Sequence, residues 1–192
     1  GEELKIYSFN GTSLSLLVSQ DYGSRLSFIV WSPDGKYLAL GGEAPTSGDE
    51  LQVYSFDGST VSLIDSVNYG SRIYSIDWSF NRKYLAIGGQ TPTSGDELQV
   101  YLFDGSTLTL LTSENYGTGG TAIIYSVEWS PDGNYLAIGG YSPVAGLDEI
   151  DVYLFDGVNL SITFSQNYGT SVYSVAWSPD GKYLAVGGNS PA

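Results

Sequence analysis

Residues 172–188, VYSVAWSPDGKYLAVGG, read as two short strands joined by a tight turn. Apolar and polar side chains alternate up to Trp177, which is typical of a strand with one buried face. Pro179 pre-sets φ at the first central position of the turn, and the Asp-Gly pair that follows it is typical of a tight hairpin. The stretch therefore predicts an antiparallel strand pair.

The same stretch occurs four times in the chain. Its tryptophan recurs at spacings of 47, 51 and 48 residues, at Trp31, Trp78, Trp129 and Trp177. A second landmark, an acidic residue that opens a run ending in Tyr, recurs at spacings of 47, 47 and 52 residues, from Glu3, Glu50, Glu97 and Glu149. Because two independent landmarks share one period, the chain is a tandem repeat.

Each copy continues into two more predicted strands. A loop rich in Pro, Gly and Ser leads into a run such as residues 97–103, then an Asp-Gly turn and a last alternating segment. Four antiparallel strands in about 47 residues, repeated in tandem, are typical of the blades of a β-propeller. The sequence therefore predicts an all-β propeller made of four-stranded antiparallel blades.

The quoted stretch resembles the WD40 repeat, and the resemblance extends over essentially the whole chain. Ser75, Ser126 and Ser174 keep the serine of that family, but the first copy has Phe28. Tyrosines stand where WD40 repeats carry Gly-His (Tyr22, Tyr69, Tyr116 and Tyr168) and where they carry Trp-Asp (Tyr7, Tyr54, Tyr101 and Tyr153). The resemblance implies the propeller fold, while the buried Asp-His-Ser-Trp network of the family cannot form as such.

The order of the strands predicts a split blade. The chain opens with the third and fourth strands of a blade and ends after the first and second, so residues 1–24 and 171–192 are expected to form one blade. Three whole repeats are expected at 25–71, 72–122 and 123–170, in one domain over 1–192.

Three arrangements would complete this split blade: a four-bladed monomer, an eight-bladed ring shared by two chains, or a fragment of a longer array. Four blades need about 90° between neighbours and eight need about 45°. We favour the eight-bladed dimer, because the inner strands resemble those of larger WD40 rings.

Composition excludes several kinds of site. The chain has no Cys and no His, which excludes zinc sites, imidazole or thiol catalysis and disulfides, and no cofactor or metal is predicted. With 21 acidic and 7 basic residues, the net charge of −14 argues against nucleic acid as a partner. No apolar run approaches a membrane span and no signal peptide is visible, so no membrane partner is predicted, and the compartment stays open. The missing Met suggests that Gly1 is not the native start.

The tyrosines at the entry to each first strand are candidate partner contacts. Tyr and Arg are favoured binding anchors, and Arg25 and Arg72 lie three residues after a tyrosine of this set. The residues in question are Tyr22, Tyr69, Tyr116 and Tyr168. The alternative is structural, with each phenol packed between blades and bonded to backbone.

Acidic pairs close the long loops between second and third strands. By resemblance, the loops at 43–50, 90–97 and 141–149 lie on one face, and their carboxylates would attract basic partners or cations. These carboxylates are Asp49, Glu50, Asp96, Glu97, Asp148 and Glu149, with Glu2 and Glu3 as a fourth pair. The alternative is that they only begin exposed strands.

Other features have weaker functional interpretations. Asp77 and Glu128 occupy equivalent positions in adjacent first strands, where the other copies have Val30 and Ala176, but a paired-carboxylate enzyme needs a cleft as well. The Gly-rich loop at 117–123 lacks the helix or Lys that a phosphate site needs.

We therefore predict a non-enzymatic scaffold that binds a protein or peptide, because WD40-like folds host many functions and no catalytic set is evident. The alternatives are a lectin-like propeller with one small ligand per blade, or a repeat-derived or engineered chain without a specific partner. Self-association to close the ring is also expected.

Overall fold

Sixteen β-strands and no helix form in the residues that the computed structural model describes, which are 1–43, 48–90, 92, 95–117, 121–142 and 148–189. All strand pairs are antiparallel, and each strand pairs with its neighbour in the chain. Three sheets have four strands and two sheets have two. The predicted all-β architecture of four-stranded antiparallel sheets is confirmed.

The three complete sheets follow one another along the chain. The first contains β3 (Leu26–Trp31), β4 (Tyr37–Gly42), β5 (Leu51–Phe56) and β6 (Val61–Val67). The second contains β7 (Ile73–Trp78), β8 (Tyr84–Gly89), β9 (Leu98–Phe103) and β10 (Leu108–Glu114). The third contains β11 (Ile123–Trp129), β12 (Tyr135–Tyr141), β13 (Ile150–Phe155) and β14 (Leu160–Gln166).

The two ends of the chain each form a strand pair. β1 (Leu4–Phe9) pairs with β2 (Leu14–Gln20), and β15 (Ser171–Trp177) pairs with β16 (Leu184–Asn189). These two pairs remain separate sheets in the structure, so the described part of the chain does not form a closed ring.

The turn after each first strand is held by a serine and an aspartate, which is replaced by Asn81 in the second copy. Ser32 Oγ donates to Asp34 Oδ1 at 2.7 Å and accepts from the Tyr37 N–H at 3.0 Å, and Gly35 follows at φ 69°. The second copy has Arg82 at the glycine position, at φ 65°. A non-glycine residue in this left-handed region costs about 1 kcal/mol, and Arg82 also bonds Asp34 of the preceding sheet at 2.9 Å.

The core lies between neighbouring sheets. Ile73, Ile76 and Trp78 of β7 pack with Ala39 and Val53 of the preceding sheet, and all five side chains are buried. The corresponding positions of β11 pack against β8 and β9 in the same way. Trp78 and Trp129 are each 4% exposed, so they stabilise inter-blade packing, as the alternation of the first strands predicts.

Glycine is required where β4, β8 and β12 meet the following sheet. A Cβ on Gly41, Gly88 or Gly139 would lie 2.7, 2.4 or 2.3 Å from an Ile or Val side chain of the next first strand. No real Cβ contact is that short, so the absence of a side chain sets the distance between sheets.

Candidate functional site

Four edge strands from successive sheets lie side by side, and each has one edge that pairs with no other strand in the described residues. β3, β7, β11 and β15 are the first strands of successive sheets, lie beside one another and are called the inner strands below. Between them is a cleft of about 370 Å³, lined by residues of all four. Its polar lining includes Ser75, Asp77, Ser126 and Glu128.

Side chains of one inner strand satisfy the free edge of the next. The Val127 N–H donates to Ser75 Oγ at 3.0 Å, and the Trp129 N–H donates to Asp77 Oδ2 at 2.8 Å. The same pattern joins β11 to β15, where Ser126 Oγ and Glu128 Oε2 accept from the N–H groups of Val175 and Trp177 at 3.1 and 2.7 Å. A Ser-x-acid pair therefore replaces the missing strand partner. The first inner strand has Phe28 and Val30 at these positions and cannot do so.

Burial shifts both carboxyl groups of the cleft toward the protonated form. Burial raises the pKa of Asp77 to about 7, the Trp129 N–H opposes that rise, and the charge of Glu128 adds to it. Burial likewise raises the pKa of Glu128, opposed by the N–H of Trp177. A carboxyl group with a pKa near neutrality can both accept and donate a proton at physiological pH.

A row of tyrosines lies at a bulge in the inner strands. The pairing of each inner strand with its neighbour skips one residue, which is Tyr74, Tyr125 or Tyr173 in three copies and Ser27 in the first. Bulges re-aim side chains and are common next to active sites. The rings of Tyr74 and Tyr125 are 5.6 Å apart, those of Tyr125 and Tyr173 are 5.3 Å apart, and the last two line the cleft.

Arg72 caps this row at its first ring. The guanidinium carbon lies 4.7 Å from the centre of the Tyr74 ring, and the group donates from Nε and Nη2 to Ser27 Oγ at 3.2 Å. Glu43 holds both predicted arginines, with Oε1 3.1 Å from Arg72 Nη1 and 3.8 Å from Arg25 Nη1. The structure thus brings Arg25 and Arg72 together through a carboxylate that sequence reasoning did not single out.

The predicted tyrosine set lies mainly inside the protein. Tyr22 and Tyr69 are each 2% exposed, and their hydroxyls donate to the carbonyls of Glu50 and Glu97 at 2.6 and 2.8 Å. Tyr116 is also buried, but its hydroxyl has no hydrogen-bond partner in the described part of the chain. Tyr168 is half-buried. Contact with a partner through these four side chains stays a prediction. The burial of Tyr22, Tyr69 and Tyr116 disfavours it.

The predicted acidic set also bonds internally. Glu3, Glu50, Glu97 and Glu149 each accept the backbone N–H of the tyrosine 19 residues later, at 3.1, 2.7, 2.8 and 2.7 Å. Asp49 and Asp96 accept from the hydroxyls of Ser66 and Ser113, both at 2.7 Å, and Asp148 is half-buried. Binding of a basic partner by this set stays a prediction. The middles of the three loops, and residues 118–120 of the Gly-rich loop, lie outside the described residues.

Neither a cluster of metal-ligating side chains nor a membrane-spanning helix is found in the described residues. Within them, no group of three or more acidic residues is arranged to hold a metal ion. The same part of the chain contains no helix with the length and apolar character needed to cross a membrane.

The family model described as Eukaryotic translation initiation factor eIF2A matches residues 45–192. The chain belongs to that family. No curated protein matches it. Membership of the eIF2A family, together with the structural neighbours below, supports a β-propeller but does not single out the WD40 repeat predicted from the sequence.

Three solved structures illustrate the fold that this eIF2A-family chain shares. The periplasmic gluconolactonase of Pseudomonas aeruginosa is 17% identical, with a TM-score of 0.74 over 95% of this chain and 55% of that one. A proposed 6-phosphogluconolactonase from Bacteroides uniformis is 20% identical, with a TM-score of 0.67 over 84% of this chain and 46% of that one. A protein of unknown function from Desulfotomaculum acetoxidans is 14% identical, with a TM-score of 0.74 over 94% and 54%. The chain thus spans about half the length of each neighbour.

These neighbours correct the functional prediction. The sequence predicted a non-enzymatic scaffold, and that prediction is contradicted because two propellers of this architecture are named as lactonases. The prediction rested on the WD40 resemblance, which carries no information about the cleft. The sequence pointed to the cleft only through one variable position of the repeat. Asp77 and Glu128 stand there, where the other copies have Val30 and Ala176. The tyrosine row was missed because a bulge cannot be read from an alternating pattern.

Proposed function

We propose that the chain contributes the reactive cleft of a lactonase-type hydrolase, with Asp77 and Glu128 as its acid–base pair. One observation carries the proposal: two adjacent inner strands place carboxyl groups with raised pKa values in one cleft. The names of the gluconolactonase and of the proposed 6-phosphogluconolactonase support the reaction class.

The reaction needs one base and one acid. Ionised Glu128 takes a proton from water as the water oxygen attacks the lactone carbonyl carbon, and the resulting tetrahedral adduct collapses with cleavage of the ring C–O bond. Protonated Asp77, whose pKa burial raises to about 7, gives its proton to the departing ring oxygen, so that lactone and water yield one hydroxy acid. Such transfers contribute about 10²- to 10⁴-fold to a rate.

The rest of the cleft lining suits a hydroxylated ring. Tyr125 and Tyr173 offer aromatic faces and hydroxyls, and Ser126 and Ser174 line the same cleft. Aromatic rings contact the C–H face of a sugar while hydroxyls bond its edge. The substrate class proposed is therefore a sugar lactone.

The test is hydrolysis of glucono-1,5-lactone and of its 6-phosphate, followed by acid release and corrected for the spontaneous rate. Asp77→Asn and Glu128→Gln are each expected to lower the enzymatic rate roughly 100-fold or more. Glu2→Gln, an exposed acid outside the cleft, is the matched control and should retain the rate. A wild-type rate no faster than the spontaneous one, or full activity in Asp77→Asn, would overturn the proposal.

We also propose that the sheets are WD40-type blades of one domain over 1–192, with the repeat bounds predicted from the sequence, in an eight-bladed ring shared by two chains. Support comes from the shared serine and tryptophan positions of the repeats. We further propose that the exposed members of the predicted tyrosine, arginine and acidic set contact a partner. Arg25, for example, is 69% exposed.

A further inference from the structure

The turn between β7 and β8 departs from the repeat in three consecutive residues. The other three copies read Ser-Pro-Asp-Gly at this turn, whereas the second copy has Phe80, Asn81 and Arg82 after its serine. Arg82 keeps the left-handed backbone of the glycine it replaces, at φ 65°, while the glycines of the other copies lie between 68° and 73°. Backbone strain that is retained where glycine would remove it points to a role outside folding.

Phe80 extends into solvent in the interior of the repeat array. It is 74% exposed, although its own sheet lies between two other complete sheets, which β7 contacts through β3 and β11. The other copies have proline at this position, so the repeat does not need an aromatic ring there. Phe80 and Pro33, from the turn of the preceding sheet, line a groove of about 540 Å³. Phe and Arg are both enriched in the cores of protein interfaces.

A second groove, of about 330 Å³, adjoins the first, and Asp34 and Arg82 line both. The two together are called the basic groove below. Lys36 and Lys83 line its second part, and both side chains are exposed. Neither lysine makes an ion pair within the described residues, whereas all three arginines do. Three of the seven basic residues of the chain thus meet at one groove.

The acidic residues of the basic groove are already bonded within the chain. Asp34 accepts the Ser32 hydroxyl at 2.7 Å and Arg82 Nη1 at 2.9 Å. The carboxylate of Asp104 accepts the N–H groups and hydroxyls of a following serine and threonine at 2.8–3.0 Å. The lining has three basic groups against two carboxylates, in a chain whose net charge is −14. The lysines are therefore the charges that this groove offers to an anionic ligand.

We propose that the basic groove binds an acidic peptide segment that carries an aromatic or large apolar side chain. That side chain packs on Phe80, and carboxylates beside it bind Lys36 and Lys83. Arg82 lies between these contacts, is 53% exposed and uses one of its five N–H donors within the chain. The basic groove shares no residue with the cleft, so this inference is independent of the lactonase proposal.

Charge favours a short acidic peptide over a nucleic acid as the occupant. Nucleic-acid binding depends on the neutralisation of many phosphates, and its affinity comes mainly from that term. The basic groove has three cations, and the rest of the chain is strongly acidic, so a long polyanion is repelled beyond the groove. A peptide needs two or three carboxylates at the lysines, and its apolar side chain uses the contact with Phe80.

Fluorescence polarisation with a labelled peptide, Gly-Asp-Glu-Phe-Glu-Asp-Gly, tests the basic groove. The wild type is expected to bind it, more weakly as salt rises from about 50 to about 300 mM, and to bind a version with Lys in place of each acid at least about 10-fold more weakly. Phe80→Pro, which installs the residue of the other copies, should weaken binding roughly 10-fold or more. Circular dichroism should show that this variant retains its strands.

The lysines are tested against an equivalent position of another copy. Lys36→Gln and Lys83→Gln are each expected to weaken binding about 3- to 10-fold. Lys182→Gln makes the same change at the equivalent position of the last copy and should leave the affinity unchanged.

Four results would overturn the proposal. The first is wild-type binding no tighter for the acidic peptide than for the basic one, and the second is unchanged affinity in Phe80→Pro. The third is an equal loss in Lys182→Gln and Lys83→Gln, which would mean that the peptide responds to overall charge alone. The fourth is displacement of the peptide by a uridine decamer at equal concentration, which would assign the groove to nucleic acid.

Discussion

The carboxylate of Asp77 accepts the backbone N–H of Trp129 at 2.8 Å, and it thereby joins the inner strands of two neighbouring sheets. The bond satisfies an edge N–H that has no strand partner, and it holds the carboxyl group in the cleft. One residue thus serves the packing of the propeller and supplies the group whose pKa suits acid–base chemistry.

Asp77 should make the stability of the protein depend on pH. Its pKa rises from 3.8 to about 7 on folding, so the folded state holds a proton that the unfolded state releases. The resulting stabilisation is fully present below pH of about 4 and is lost as the pH rises through about 7. Asp77→Asn, which keeps an oxygen acceptor for Trp129, should flatten this decline between pH 5 and pH 8 in urea denaturation. Equal pH slopes for the variant and the wild type would contradict the assignment.

Gly88→Ala should destabilise the fold by about 1–3 kcal/mol, because the added methyl group would lie 2.4 Å from Ile124 Cγ2. Gly187→Ala is the matched control within the repeat, since a Cβ there meets nothing within 4 Å of the single chain. Its free energy of unfolding, measured at dilutions where the chain is monomeric, should change by less than about 0.5 kcal/mol. Equal losses of stability in both variants would show that these glycines are needed for the backbone conformation and not for the close approach of neighbouring sheets.

The tyrosine hydroxyls can be compared at two equivalent positions. Tyr69→Phe removes a hydroxyl that donates to the Glu97 carbonyl at 2.8 Å, and it should cost about 0.5–1.5 kcal/mol. Tyr116→Phe removes a buried hydroxyl without a hydrogen-bond partner in the described residues, and it should be neutral or stabilising. Thermal or urea unfolding of the two variants measures the difference. A larger loss for Tyr116→Phe would mean that its hydroxyl bonds a group outside the described residues.

Glu50→Ala should destabilise the loop that precedes β7. The carboxylate is buried and accepts the N–H groups of Tyr69 and Gly70 at 2.7 and 3.0 Å, so its removal leaves two donors without partners. Hydrogen bonds to a charged group contribute about 1.5–3 kcal/mol each, so the removal of both is expected to cost about 3 kcal/mol or more. Glu2→Ala, at an exposed acid, serves as the control in the same urea titration and should change little. Equal stability of Glu50→Ala and the wild type would mean that Glu50 does not stabilise this loop, and would leave the partner contact predicted from the sequence as its role.

Much of the fold can be predicted from the sequence because its determinants are local. Alternation up to each tryptophan and the Asp-Gly turns predict strands and hairpins, and the four-fold repetition predicts equivalent sheets. The candidate site was visible only as a departure from that repetition, at Asp77 and Glu128. Even there, the sequence could not show that the two carboxyl groups line a cleft.

The sequence by itself determined the strand order and the turn positions, since each depends on residues near in the chain. Only the tertiary structure decided that Ser75 and Asp77 satisfy the edge of the next inner strand and that burial raises the pKa of Asp77. It also decided that a bulge re-aims Tyr125 toward the cleft. The bonds of Ser75 and Asp77 join residues about 50 positions apart, and the free energy of such contacts is set by burial and geometry that no local pattern contains.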